Sequence, residues 1–202
     1  MVTDKIEVSS RRDQIAAALN EVEKTAVYEG LSPKGTLQLR LLTEEMMGMM
    51  RSLTGETEGR FWIENEGDEY HLHLLVYTIM DSEKRDQLLA ASSTGKNESA
   101  RGLIGRLRDF FDRGADADVA GMTSTMIEPE LYGDVSTPSL NWEWSMSQYE
   151  AVLSEQIQDE GNQQAREAWD EMEKSVVAHV ADEVRVSIRG REVEMIIDKK
   201  LN

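Results

Sequence analysis

Apolar residues recur along this chain in two rhythms, one with the period of a helix and one with the period of a strand. Lys5–Val8 reads as a short first strand. Ser10 and Asp13 form a helix-opening box, and Ile15, Ala18, Leu19, Val22 and Ala26 follow at the spacing of one helix face. Gly30 ends that helix, and Ser32-Pro33 opens the next with Ser as cap and Pro in the first turn. The second helix runs to about Leu53 on a stripe of Leu39, Leu42, Met46, Met49, Met50 and Leu53. Leu37, Leu41 and Met47 are apolar outside that stripe, which predicts burial on more than one side.

Alternation then takes over. Phe61 and Ile63 mark a strand, Asn65-Glu66-Gly67-Asp68 has the composition of a hairpin turn, and Tyr70–Thr78 returns. In the returning strand Tyr70, Leu72, Leu74 and Val76 share one face, with His71, His73, Leu75 and Tyr77 on the other. A short helix is expected near Ser82–Ala90. The loop Ser92–Asn97 separates it from a helix carrying Leu103, Ile104, Leu107, Phe110 and Phe111. Residues 112–140, rich in Gly, Asp, Ser and Thr, read as a loop or insertion and not as a second domain. Trp142–Met146 is expected as a strand. Gln148–Val180 is mostly helical with a break at Gly161-Asn162, and Ala165, Trp169, Met172, Val176 and Val180 line its last face. Two strands, Val184–Ile188 and Val193–Ile197, close the chain around a turn at Arg189-Gly190-Arg191.

Composition narrows the function classes. A hydrophobic share of 40% over 202 residues suffices for one packed domain spanning 1–202. Cysteine is absent, which excludes disulfides, thiolate nucleophiles and cysteine-ligated zinc. With no apolar run near the ~20 residues of a membrane span and no apolar leader, the expectation is a cytoplasmic protein. The 39 acidic and 22 basic side chains give a net charge of −17. Such a surface repels phosphate backbones and anionic bilayers, so nucleic acid and membrane are excluded as expected partners. A basic protein partner is electrostatically favoured, beside the plain reading of the charge as a source of solubility.

The element order resembles the Bergerat fold of the histidine-kinase-like (GHKL) ATPases, and that of the anti-sigma-factor serine kinases most closely. The matching features are the Gly30-Leu31-Ser32 break, the segment Leu42-Thr43-Glu44-Glu45-Met46-Met47-Gly48, and the closing Val180-Ala181-Asp182-Glu183-Val184 link with its hairpin. They cover roughly residues 5–80 and 164–201. The resemblance implies a two-layer α/β (α+β) sandwich, a mixed sheet covered on one face by helices. It implies an ATP-binding regulatory protein using Mg²⁺, acting on a protein partner as a serine/threonine kinase or ATPase, and a homodimer. A third option is an enzyme or scaffold outside this fold, which gains ground if the closing hairpin does not pair with the Tyr70–Thr78 strand in one sheet.

The chemical motifs depart from the family. Glu44 matches the catalytic Glu of the second helix, but Gly48 stands where the family holds its metal with Asn, and Gly offers Mg²⁺ no oxygen. Thr78 occupies the position of the adenine-reading Asp, and Asp81 substitutes only with a three-residue slip. Ser93, Gly95, Lys96 and Asn97 fall where the family has a mobile lid, ahead of a helix N-terminus suited to phosphate. That loop is not a P-loop, since Ala90 stands in place of its first Gly and Asn97 in place of its Ser or Thr. Gly48 has a second reading as a point of tight packing. The expected function is therefore an ATP-binding regulator with impaired catalysis, or a non-catalytic pseudo-ATPase that binds proteins. His71 and His73 share a strand face at a spacing zinc can use, but with no third ligand in sight they read as structural. The cluster Met46, Met47, Met49 and Met50 reads as pliable core first and partner surface second.

Overall fold

A computed structural model describes residues 1–9, 15–54, 58–77, 141–158, 162–189 and 192–201. Strand β1 (Ile6–Ser9) leads to helix α1 (Ile15–Glu29) and helix α2 (Pro33–Thr54). Strands β2 (Glu58–Glu66) and β3 (Glu69–Tyr77) form a hairpin. Strand β4 (Asn141–Ser145) runs into helices α3 (Met146–Gln156), α4 (Gln163–Glu173) and α5 (Val176–Val180), and the strands β5 (Glu183–Arg189) and β6 (Glu192–Lys200) follow. The helices expected between 82 and 111, the Ser92–Asn97 loop, the 112–140 insertion and the Ser10–Asp13 box lie outside the described residues.

The signals that place these elements are local. Ser32 Oγ accepts the Gly35 N–H at 3.1 Å, the cap its sequence promised for α2. Gly30 and Gly67 adopt φ of +66° and +72°, the left-handed region that stops α1 and turns the β2–β3 hairpin.

The six strands make one sheet in the order β1-β2-β3-β6-β5-β4. All five pairings are antiparallel, where a mixed sheet was expected. The pairs of strands consecutive in the chain, β1–β2, β2–β3, β4–β5 and β5–β6, each run in opposite directions, and β3 receives β6 in register from Glu69↔Lys200 to Tyr77↔Glu192. The closing hairpin thus joins the Tyr70 strand in a single sheet.

Helices pack on one face of that sheet. Leu39, Leu42, Phe61, Ile63, Leu72, Leu74 and Ile197 are wholly buried between the layers. Burying each such side chain contributes about 1.5–3 kcal/mol. Met46, Met47, Met49 and Met50 are at most 2% exposed, so the methionine cluster is core and not a partner surface. Of the three apolar residues off the α2 stripe, Met47 is buried, Leu41 is half-buried and Leu37 is exposed.

A second, smaller cluster of Leu153, Ala165, Ala168 and Met172 joins α3 to α4. The face expected to continue to Val176 and Val180 is interrupted. Ser175 caps a new helix by accepting the Ala178 N–H, which resets the helical phase. Val177 turns inward in consequence, and Val176 is left 42% exposed.

Candidate functional site

Helix α2 has two faces with different chemistry. Its buried face carries Leu39, Leu42, Thr43, Met46 and Met50. Its outer face carries Leu37, Leu41, Glu44 and Gly48, spaced by four, three and four residues and so aligned along the helix. Glu44 and Gly48 therefore share a face, as the sequence spacing requires. A shallow cleft of about 480 Å³ opens beside Glu44. Leu31, Pro33, Leu37 and Leu41 form its apolar wall, with Arg40 and Glu44 at its rim.

Of the two charged residues that line the cleft, one is paired. Arg40 pairs with Glu23 of α1 across the helix hairpin. Both are solvent-accessible, so the pair adds little stability. Glu44 is exposed and has no hydrogen bond or ion pair among the described residues. Glu45 is the perturbed carboxyl: partial burial first, and the neighbouring Glu44 second, push it above the usual carboxylate range. Its place nearer the apolar stripe is what half-buries it.

Gly48 does not serve tight packing among the described residues. A Cβ built there would meet no heavy atom within 4 Å. Its open flank leaves room beside the helix, yet Gly supplies no oxygen to a metal. Thr78, Asp81, Ser93, Gly95, Lys96 and Asn97 lie outside the described residues, so the structure does not bring them to Glu44 or separate them from it. Among the described residues no cluster of three metal-binding side chains forms, and no helix is long and apolar enough to cross a membrane.

The histidines sit on the sheet face opposite the helices. His71 Nδ1 lies 2.7 Å from Asp198, which also receives two hydrogen bonds from Arg185 at 2.9 and 3.1 Å. His73 stacks on Trp62. Each imidazole thus has cross-strand partners of its own, and the two do not share a ligand-like point of convergence among the described residues.

A feature the sequence reading passed over is where the negative charge lies. Residues 141–183 hold eleven carboxylates against two cations, so −9 of the net −17 falls in this stretch. Glu155, Glu167, Asp170 and Glu173 are exposed on α3 and α4. The signal was legible as a windowed charge count, which the total conceals.

Glu183 fixes this acidic arm to the sheet. Its carboxylate accepts the Met146, Ser147 and Val184 N–H groups at 3.0, 3.2 and 2.8 Å, and hydroxyl protons from Ser145 and Ser147. Burial works to raise this carboxyl. The hydrogen bonds from Ser147, Val184 and Ser145 outweigh that and hold it below the usual range. No protein-family model, curated protein or solved structure matches this chain, and its site is therefore defined by the geometry of its own residues.

Proposed function

We propose that this chain is a regulatory protein-binding module of the histidine-kinase-like ATPase type, one that engages a cationic protein partner and does not work by turning over ATP. The observation that carries the reading is the charge asymmetry: the α3–α4 arm concentrates exposed carboxylates on a small helical platform with its own core. A field of one sign attracts a partner of the other and orients it on approach. Two further observations support it. The helices lie on one side of a six-stranded sheet, and the position where the resembled family coordinates its metal is Gly48.

A second reading, nucleotide binding at α2, is favoured by one specific arrangement, the shared outer face of Glu44 and Gly48 beside the cleft. Calorimetry with ATP and ADP, with and without Mg²⁺, separates the two. The expected result is no Mg²⁺-dependent binding at millimolar nucleotide. Micromolar binding that needs Mg²⁺ and weakens in Glu44→Ala would overturn the proposal in favour of the second reading. The partner surface is tested with a lysine-rich helical peptide as probe. Salt-sensitive binding that weakens in the triple variant Glu155→Gln, Glu167→Gln, Asp170→Asn is expected. Equal binding by variant and wild type would remove the arm from the proposal.

A further inference from the structure

On the sheet face opposite the helices, one histidine is wired to the strand at the sheet edge. His73 is 9% exposed and stands in register with Trp62 of β2. The two rings stack with centroids 4.6 Å apart and planes 11° from parallel. The Lys5 ammonium, immediately before β1, lies 4.0 Å from the centroid of the same indole. Because β1 and β3 flank β2 on opposite sides, the indole is held between a lysine from one neighbour and an imidazole from the other.

Both imidazole nitrogens face carboxylates. Nδ1 is 3.3 Å from Glu194 Oε1 of β6, and Nε2 is 3.8 Å from Glu64 Oε1 of β2. That same Glu64 oxygen accepts the Trp62 Nε1–H at 2.9 Å. A neutral imidazole has one N–H to give. The shorter contact assigns it to Nδ1 and Glu194, and Nε2 is then a lone pair turned toward Glu64. A second proton on Nε2 reverses the sign of that contact. It sets a positive N–H 3.8 Å from an oxygen already engaged by the indole, at ion-pair distance and short of a hydrogen bond until Glu64 moves, and it places a cation on the ring face opposite Lys5.

We propose that this cluster is a proton-operated relay: protonation of His73 draws Glu64 away from the Trp62 indole N–H and weakens the hold of Lys5 on the ring, loosening β1 at the sheet edge. The charged groups facing His73 are Glu64 from β2, Glu194 from β6, Lys5 through the indole, and His71 on its own strand. Burial is the largest influence on the imidazole and lowers its affinity for the proton; the two carboxylates oppose this, and His71 adds to it. The relay therefore operates below the ordinary histidine value of about 6.5. The sign follows from linkage: the folded form binds this proton less readily than the unfolded chain does. The stability it contributes is full above about pH 6.5 and is lost as pH falls through the folded value. This device is independent of any partner or nucleotide.

The test is a pH titration of the whole chain by NMR, following the His73 imidazole, the Trp62 indole N–H and amide exchange in residues 6–9. One shared midpoint below about pH 6.5 is expected, with faster exchange in β1 on the acid side. His73→Gln should abolish the step. Glu64→Gln should lower the His73 midpoint by about one pH unit and remove the indole response, and Lys5→Gln should uncouple β1 exchange from the titration. A His73 that titrates while the Trp62 indole and β1 stay unchanged would overturn the relay, as would a His73 that remains neutral to pH 5. If His73→Gln fails to fold, the wild-type titration and the Glu64→Gln and Lys5→Gln variants still decide between these outcomes.

Discussion

Helices α1 and α2 press Leu39, Leu42 and four methionines into the sheet, whereas α3 and α4 close around the smaller cluster of Leu153, Ala165, Ala168 and Met172. Their surfaces differ as much as their cores. Residues 15–54 hold five carboxylates and four cations, a balance of −1, against −9 for residues 141–183. The first layer is anchored by large apolar side chains and carries a nearly neutral exterior. The second has a modest interior of its own, and Met146 and Val177 in the main core together with the polar clasp at Glu183 tie it to the sheet. The contrast separates what holds the fold from what is available to meet a partner, and it puts the two in different helices.

The largest effect that could break this comparison is a core truncation on each side. Phe61→Ala should cost about 3–5 kcal/mol in global stability, measured by denaturant unfolding, because Phe61 is wholly buried between the layers. Leu153→Ala should cost less, about 2 kcal/mol, and amide exchange should show α3 and α4 opening before the sheet. Equal costs with one global transition would mean that the arm is part of the main core.

Next in size is the clasp. Glu183→Ala removes a carboxylate that, beside the N-cap Ser145, accepts the first two N–H groups of α3, and caps are worth about 1–2 kcal/mol. Because this carboxyl is held below the usual range when folded, its contribution is complete above the ordinary value of 4.5 and fades as pH falls through the lower folded value. The difference in stability between wild type and Glu183→Ala should therefore shrink on acidification below pH 4.5. A difference independent of pH would show that the clasp acts by packing alone.

The smallest effect sharpens the picture of α2. Gly48→Ala should stabilise the protein by about 1 kcal/mol, since the site is exposed and helical and a Cβ there meets nothing among the described residues. A loss of stability in thermal unfolding would restore the packing role that the sequence suggested for this glycine.

Much of the architecture was legible because its signals are local. The Ser32-Pro33 start, the Gly30 stop, the Gly67 turn and the alternation from Tyr70 to Val76 each act within a few residues. The reversal of phase at Ser175 was not, because the stretch from Ala165 to Val180 fits one continuous helical face and only the cap at Ser175 breaks it. Strand direction across the whole sheet was also beyond reach, since it depends on pairing between segments far apart. At the site, the spacing of Glu44 and Gly48 was enough to place them on one face. It did not show that this face turns away from the core, or that Glu45 is the carboxyl whose proton affinity burial alters. The relay around His73 was half visible: the alternation put His71 and His73 on one face, but the third dimension supplied Trp62, Lys5 and the two glutamates.

The pairing of β3 with β6 also governs the order of events during synthesis. His71 and Asp198 face each other across that seam although 127 positions separate them. As the chain grows, β1, β2 and β3 can assemble early, but one long edge of β3 then waits for a partner made much later. Closing so distant a contact is slow, and a waiting strand edge invites the wrong neighbour. The interval between the emergence of these two strands is thus the period in which a nascent chain most needs protection from its own kind.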